Sequence, residues 1–325
     1  MSNNIFSSLI GVAWGLNQGN PNPTIANAIP LIQQAGFQWI RLYEANQTAL
    51  QAATKAKLEI CLGTTEDRIA TLAKSVDNAE KYVEEYVVPS AANVKAICVG
   101  NEVFYNNVYS DIVPAVKNLH QALTNQTLNS IKVTTSITMG ATQNSYPPQN
   151  TSFKPPYIDT ATALLDYLGS IDSFVFLDAY PFHAILDNPI DITLAYALLE
   201  ESITVGGQTF DGLFDAQYVG FQQAIQKLKL GNSPDIYIGE TGWASAGSPT
   251  KAHVSKGNPT EEVIASVANE KTYWDRYITY ANKNQLPTLM FEMFDEPAKP
   301  NNKYGDPYYG IYDTNSGNFK FTIDL

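Results

Sequence analysis

The feature that most constrains this chain is an alternation. Eight short apolar runs rich in β-branched residues recur along it, at Leu9–Trp14, Trp39–Tyr43, Leu58–Gly63, Val94–Gly100, Lys132–Ile137, Phe174–Ala179, Ile236–Gly239 and Pro287–Phe291. Longer stretches lie between them, such as NPTIANAIPLIQQAG, EDRIATLAKSVDNAEKYVEEYV and DIVPAVKNLHQALTN. Their apolar residues recur at helical spacing with polar faces between. A strand followed by a helix, repeated eight times, implies a parallel sheet, because parallel neighbours need a crossover of about that length. Eight parallel strands can close on themselves and leave no edge. The expected fold is therefore α/β, a (β/α)8 barrel, with residues 1–325 forming a single domain.

An open doubly wound sheet is the architectural rival. It normally uses fewer strands and often a glycine-rich first turn. Here the first turn reads GVAWGLNQGNPNP, and Gly15 and Gly19 do not match G-x-G-x-x-G, so a dinucleotide site is not supported. No linker of biased composition divides the chain. The Pro/Asn/Ser-rich stretch Gln143–Tyr157 and the Gly/Asp-rich stretch Val205–Asp215 read as loop excursions. Gly36 suits the end of the first helix, and Asp67 and Asp111 suit helix N-termini.

Charge narrows the choice of partner. Twenty basic against 32 acidic residues leave a formal net charge of -12, which repels phosphate backbones and anionic membrane surfaces. A neutral polymer is compatible with that surface. The two cysteines, Cys61 and Cys98, are too few for a disulfide scaffold; each lies in an apolar run and reads as a buried thiol. His120, His183 and His253 form no Cys/His cluster, so no metal site is expected. The N-terminal MSNNIFSSLIGVAWG has no basic stretch and runs into a strand pattern, so neither a signal peptide nor a membrane span is read there.

In a (β/α)8 barrel the chemistry sits at the C-terminal ends of the strands. Asn101-Glu102 follows the fourth run; Asp178, Tyr180 and His183 follow the sixth. Glu240 and Trp243 follow the seventh, and Glu292, Asp295, Glu296 and Lys299 the eighth; the second ends in Arg41-Leu42-Tyr43-Glu44. Strands four and seven face each other across a barrel mouth. Glu102 and Glu240 could thus flank a bond lying in the cleft. Glycosidic cleavage needs such a pair, one carboxyl protonated and one ionised, and retaining enzymes hold them about 5–5.5 Å apart. Single acids at strand ends often serve as caps or ion pairs. The two together, each in an apolar-Gly-polar context, favour chemistry.

These segments resemble glycoside hydrolase family 17, the plant-type endo-β-1,3-glucanase family. The resemblance rests on VGNEV, GETGWASAG and FEMFDEPAK in this order. It extends through GVAWG, RLYEANQTALQAA, KVTTSITM, NSYPPQNTSF, DAYPFH, DITLAYALL, LFDAQYVGFQQAI and YYGIYDTN. It implies a barrel that hydrolyses β-1,3-glucosidic bonds with retention, Glu102 as acid/base and Glu240 as nucleophile. It also implies that Glu296 and Lys299 support the cleft and that Asn101 hydrogen-bonds a sugar 2-OH.

Chemistry suggests further neighbours. Lys299 would keep Glu240 ionised, Tyr180 could hydrogen-bond the nucleophile, and Tyr43, Phe182 and Trp243 are candidate sugar platforms. Plainer roles compete. Asn101 could cap a loop, Glu296 and Lys299 could be a surface ion pair, and Trp243 could plug the barrel top; His183 reads as a satisfied loop histidine.

The sequence departs from the plant pattern at Val103-Phe104-Tyr105, at Gly239 and Ala244 within GETGWASAG, and at Pro297; these bear on linkage preference and cleavage pattern. The expected protein is an endo-acting hydrolase of β-glucan polysaccharide or oligosaccharide, a monomer without cofactor or metal. A β-1,3-glucanosyltransferase and a mixed-linkage β-glucanase share the same site. A catalytically silent glucan-binding protein would not need both acids. The substrate class favours secretion or the cell surface, whereas the N-terminus shows no signal.

Overall fold

All eight runs form strands. In the computed structural model, which describes residues 4–16, 23–104, 109–247, 251–254 and 260–325, they are β1 Ile10–Trp14, β2 Trp39–Leu42, β3 Glu59–Thr64 and β4 Val94–Val99. Then come β5 in two halves, Lys132–Thr134 and Ser136–Thr138, β6 Phe174–Asp178, β7 Asp235–Thr241 and β8 Thr288–Met290. Gly19 and Tyr105, singled out above, lie outside the described residues.

Every neighbouring pair is parallel, and β8 returns to β1. The ring closes through β5, whose first half pairs with β4 and whose second half pairs with β6. Thr135 joins the halves. Its hydroxyl donates to Val99 O at 2.8 Å and its carbonyl accepts from Phe176 N at 3.0 Å, so it bridges both neighbours. Helices fill the crossovers, among them Ile25–Gln34, Glu66–Lys74, Tyr109–Asn125, Ile158–Ser170, Leu213–Leu228 and Val267–Asn284. The fold is the expected (β/α)8 barrel.

Strand alternation separates two cores. In β2, Ile40 and Leu42 join the layer between sheet and helices. Trp39 points the other way, into an interior shared with Phe6, Cys61, Ala96, Cys98, Phe174, Phe176, Tyr237 and Leu289. Phe6 stacks on Trp39 at 3.8 Å, closing the end of the barrel opposite the strand C-termini. Gly11 permits this filling, since a Cβ there would lie 2.4 Å from the indole. Cys61 and Cys98 are free, buried thiols. The same alternation carries Arg41 inward and brings it to the upper layer of the barrel.

Two of the loop excursions form hairpins, Thr142–Gln143 with Ser152–Phe153 and Ile203–Val205 with Gln208–Phe210. A third, Tyr312–Asp313 with Asn318–Phe319, lies near the C-terminus. Strand β7 runs two residues past the expected end at Gly239, and its register shifts between Ile238 and Glu240. A bulge of this kind re-aims side chains. Here it puts Glu240 opposite Asp178. No described helix is long and apolar enough to cross a membrane.

Candidate active site

Glu240 sits at the end of β7, 5% exposed, and collects donors from three directions. Tyr43 donates to Oε1 at 2.8 Å and Tyr180 to Oε2 at 2.7 Å. Arg41 Nη1 lies 3.4 Å from Oε1 and also donates to Gly239 O at 3.2 Å. Burial and the negative charge of Glu240 push both phenols well above their ordinary range, so they stay protonated and keep donating. Two hydroxyls and a guanidinium thus fix the orientation of this side chain. Gly239 makes this approach possible, because a Cβ there would fall 2.4 Å from Asp178 Oδ1 and 2.7 Å from Phe176 Cβ.

Glu102 has the opposite environment. Burial, and then the negative charge of Glu240, push its carboxyl up to about 7. Its backbone is left-handed, φ 46°, a conformation that costs a side-chain-bearing residue of order 1–3 kcal/mol. Contacts on both sides hold it there. Its N–H donates to Ser136 Oγ at 2.9 Å, and Val103 N donates to Ser136 O at 3.2 Å. Gly100, at φ 70°, donates to Thr64 Oγ1 at 3.0 Å and makes the turn out of β4.

Asn101 is oriented by its acceptor. Oδ1 takes hydrogen bonds from Arg41 Nη2 at 2.6 Å and Ser136 Oγ at 2.9 Å. With the amide oxygen occupied, the NH2 group is left as the donor end. Beside it a cavity of about 480 Å³ opens at the ends of β2, β3 and β4, lined by Arg41, Tyr43, Gly63, Thr64, Thr65, Glu66, Asp67, Gly100 and Asn101.

Arg41 is the residue that sequence reasoning did not assign. It is fully buried and links Glu240, Asn101 and, at 3.9 Å, Asp178. Its signal was legible: it is the one charged residue in the buried run WIRL, and a buried charge needs partners. Asp178 is also fully buried. Burial followed by the charge of Glu240 pushes its carboxyl well up, with Arg41 opposing. One guanidinium thus faces two carboxyls, Glu240 at 3.4 Å and Asp178 at 3.9 Å.

The loop after β8 adds a second group. Glu296, 4% exposed, pairs with Lys299, whose Nζ is 3.8 Å from Glu292 Oε1. The pair is buried on its acidic side and so is not a surface ion pair. Gly15 leaves the room that Glu296 occupies. Burial pushes Glu292 up to about 8, with Lys299 opposing. Lys299 also lies 5.0 Å over the Phe291 ring. Among the described residues no group of three or more His, Cys, Asp and Glu side chains is disposed to hold a metal ion.

The three candidate aromatic platforms differ in burial. Trp243 is fully buried, donates Nε1–H to Ile264 O at 2.9 Å, and meets Phe182 edge-on at 5.0 Å. Phe182 is 1% exposed. Both rings face the protein interior. The Tyr43 ring has Arg41 over it at 4.5 Å, and its hydroxyl serves Glu240. It holds the carboxylate while its ring, with Arg41 over one face, lines the cavity. His183 is satisfied, as read: Nε2 bonds Tyr309 Oη at 3.0 Å and the ring stacks on Tyr180, while burial lowers it to about 4.

Known proteins match this chain over most of its length. The profile of glycosyl hydrolases family 17 matches residues 10–325. Glucan endo-1,3-beta-glucosidase GII of Hordeum vulgare is 32% identical over 309 residues, covering 91% of this chain and 85% of that protein. The basic isoform of glucan endo-1,3-beta-glucosidase from Phaseolus vulgaris is 31% identical over 308 residues, covering 89% and 84%. In structure, CJP38, a beta-1,3-glucanase and allergen of Cryptomeria japonica pollen, superposes with a TM-score of 0.85 at 27% identity, covering 98% of this chain and 100% of that one. A profile that spans all eight strands, on a barrel that superposes end to end, makes this chain a member of glycosyl hydrolases family 17 and a glycoside hydrolase.

Proposed function

We propose that the protein is an endo-acting, retaining β-1,3-glucan hydrolase working by double displacement, with Glu240 as nucleophile and Glu102 as acid/base. The observation that carries this is the contrast between the two carboxyls. Glu240 is held by Tyr43, Tyr180 and Arg41, while Glu102 is raised to about 7 by burial and by Glu240 itself. A carboxyl raised into the neutral range can hold a proton to give, and a second one fixed by three donors is oriented for attack.

In the first half-reaction Glu240 attacks the anomeric carbon, and Glu102 gives its proton to the departing glucosidic oxygen. In the second, Glu102 takes a proton from water, which attacks the same carbon and releases Glu240. Asn101 donates from its NH2 group to the sugar 2-hydroxyl. Glu296 and Lys299, paired on the loop after β8, support the cleft. The names of the Hordeum and Phaseolus relatives support the β-1,3 linkage and the endo mode. One catalytic domain over residues 1–325, active as a monomer on neutral β-glucan, completes the reading.

The test is chromatographic analysis of products from soluble β-1,3-glucan oligosaccharides with wild type and Glu240→Gln. Shorter products from wild type alone are expected. Products longer than the substrate would move the activity to transglycosylation. Binding without any turnover by wild type would overturn the proposal.

A further inference from the structure

A second charged cluster is buried behind the β8 loop. Lys320 follows the short strand Asn318–Phe319, and its side chain is 7% exposed. Its Nζ lies 2.6 Å from Ser245 Oγ, 2.8 Å from Asp295 Oδ1, 3.3 Å from Tyr308 O and 3.4 Å from Glu270 Oε2. These acceptors belong to four segments: the loop after β7, the loop after β8, the turn Asp306–Tyr308, and the first turn of the helix Val267–Asn284.

Two of those contacts lead to the site. Asp295 directly precedes Glu296. Its N–H donates to Tyr312 O at 3.0 Å, its carbonyl accepts from Thr314 Oγ1 at 3.1 Å, and its Oδ1 also accepts from Gly310 N at 2.9 Å. Tyr308 O receives Ser245 N at 2.9 Å and Ser245 Oγ at 3.0 Å as well as Lys320. The next residue, Tyr309, meets Tyr180 edge-on at 5.8 Å, and Tyr180 donates to Glu240.

We propose that Lys320 is a positioning residue for glycosidic cleavage, its ammonium locking Asp295 and Tyr308 so that Glu296 and the Tyr309–Tyr180–Glu240 contacts keep their places. The proposal rests on the glucanase reading above. A cation is needed for this lock, beyond a filled space. Asp295 and Glu270 are both buried, burial raises both, and Lys320 is the first opposing influence on each; Asp295 stands at about 6. Glu292 also feels Lys320, and Asp313 adds negative charge near Asp295. Without the ammonium, Asp295 has lost its ion pair and takes a proton at higher pH.

The test compares Lys320→Met, Lys320→Arg and the double variant Lys320→Met/Glu270→Met, with kinetics on β-1,3-glucan oligosaccharides read well below each variant's own Tm. The single Met variant leaves Glu270 unpaired and should lose stability. The double variant should recover the part due to Glu270, since an apolar pair often replaces a buried ion pair without loss, while Asp295 still lacks its cation. In both Met variants kcat should fall roughly tenfold to hundredfold, as misplaced site groups do, and the acidic limb of the kcat profile should move to higher pH. Lys320→Arg should return that limb toward wild type. A folded Met variant, single or double, with wild-type kcat and an unmoved acidic limb would overturn the proposal. Wild type inactive on β-1,3-glucan would instead overturn the glucanase reading.

Discussion

Tyr180 donates its phenol hydrogen to Oε2 of Glu240 over 2.7 Å, from the residue that opens the short helix after β6 to the carboxylate at the end of β7. Tyr43 does the same for the other oxygen from the end of β2. Hydrogen bonds to a charged group contribute about 1.5–3 kcal/mol, so Tyr180→Phe and Tyr43→Phe should each lower kcat on the order of tenfold to hundredfold. Steady-state kinetics with unchanged circular dichroism would check this. Two variants at wild-type kcat would remove the phenols from the mechanism.

The acid/base role has a pH signature. Glu102 must carry a proton to assist departure of the leaving group, and its carboxyl stands at about 7. Activity should therefore fall on the alkaline side of that value. Arg41 is among the groups that hold Glu102 down. Arg41→Met should thus shift the alkaline limb of kcat/KM upward while kcat itself drops, because Glu240 loses its guanidinium contact. An alkaline limb that stays put in Arg41→Met would count against Glu102 as the titrating acid.

Trp243 gives a way to separate packing from sugar contact. It is fully buried and bonded to Ile264 O. Trp243→Phe should cost about 1–3 kcal/mol of stability through the lost volume and hydrogen bond, with KM for oligosaccharides unchanged. Thermal unfolding and kinetics decide together. A several-fold rise in KM at unchanged Tm would return Trp243 to the cleft.

Stability should depend on pH in an unusual direction. Glu292 stands at about 8 against an ordinary value of 4.5, so the folded protein keeps a proton that the unfolded chain releases between those values. Stability is then lost as pH rises through that window, with a slope of up to about 1.4 kcal/mol per pH unit for one such group. Glu102 and Asp295, raised to about 7 and about 6, act in the same sense. Tm should decline from weakly acid to weakly alkaline pH, and Glu292→Gln should flatten the decline. A decline of equal slope in that variant would assign the effect to other groups.

Periodicity alone was enough to read the barrel. Apolar runs at strand spacing, separated by helical stretches, leave few topologies that bury every strand on both faces. It also marked where chemistry had to lie, and Glu102 and Glu240 were named because they follow their strands directly. What one dimension does not encode is which side chains meet across the barrel. Arg41 is 199 residues from Glu240, and only closure of the ring brings the guanidinium to that carboxylate. Trp243 and Phe182 follow their strands just as candidate platforms would, yet they turn inward onto each other. Lys320 lies in the C-terminal tail, with no local pattern to distinguish it from a solvated lysine. Spacing along a strand fixes the face a residue occupies; the partner waiting there, and hence a group's burial, charge state and role, is set by contacts between segments far apart in the chain.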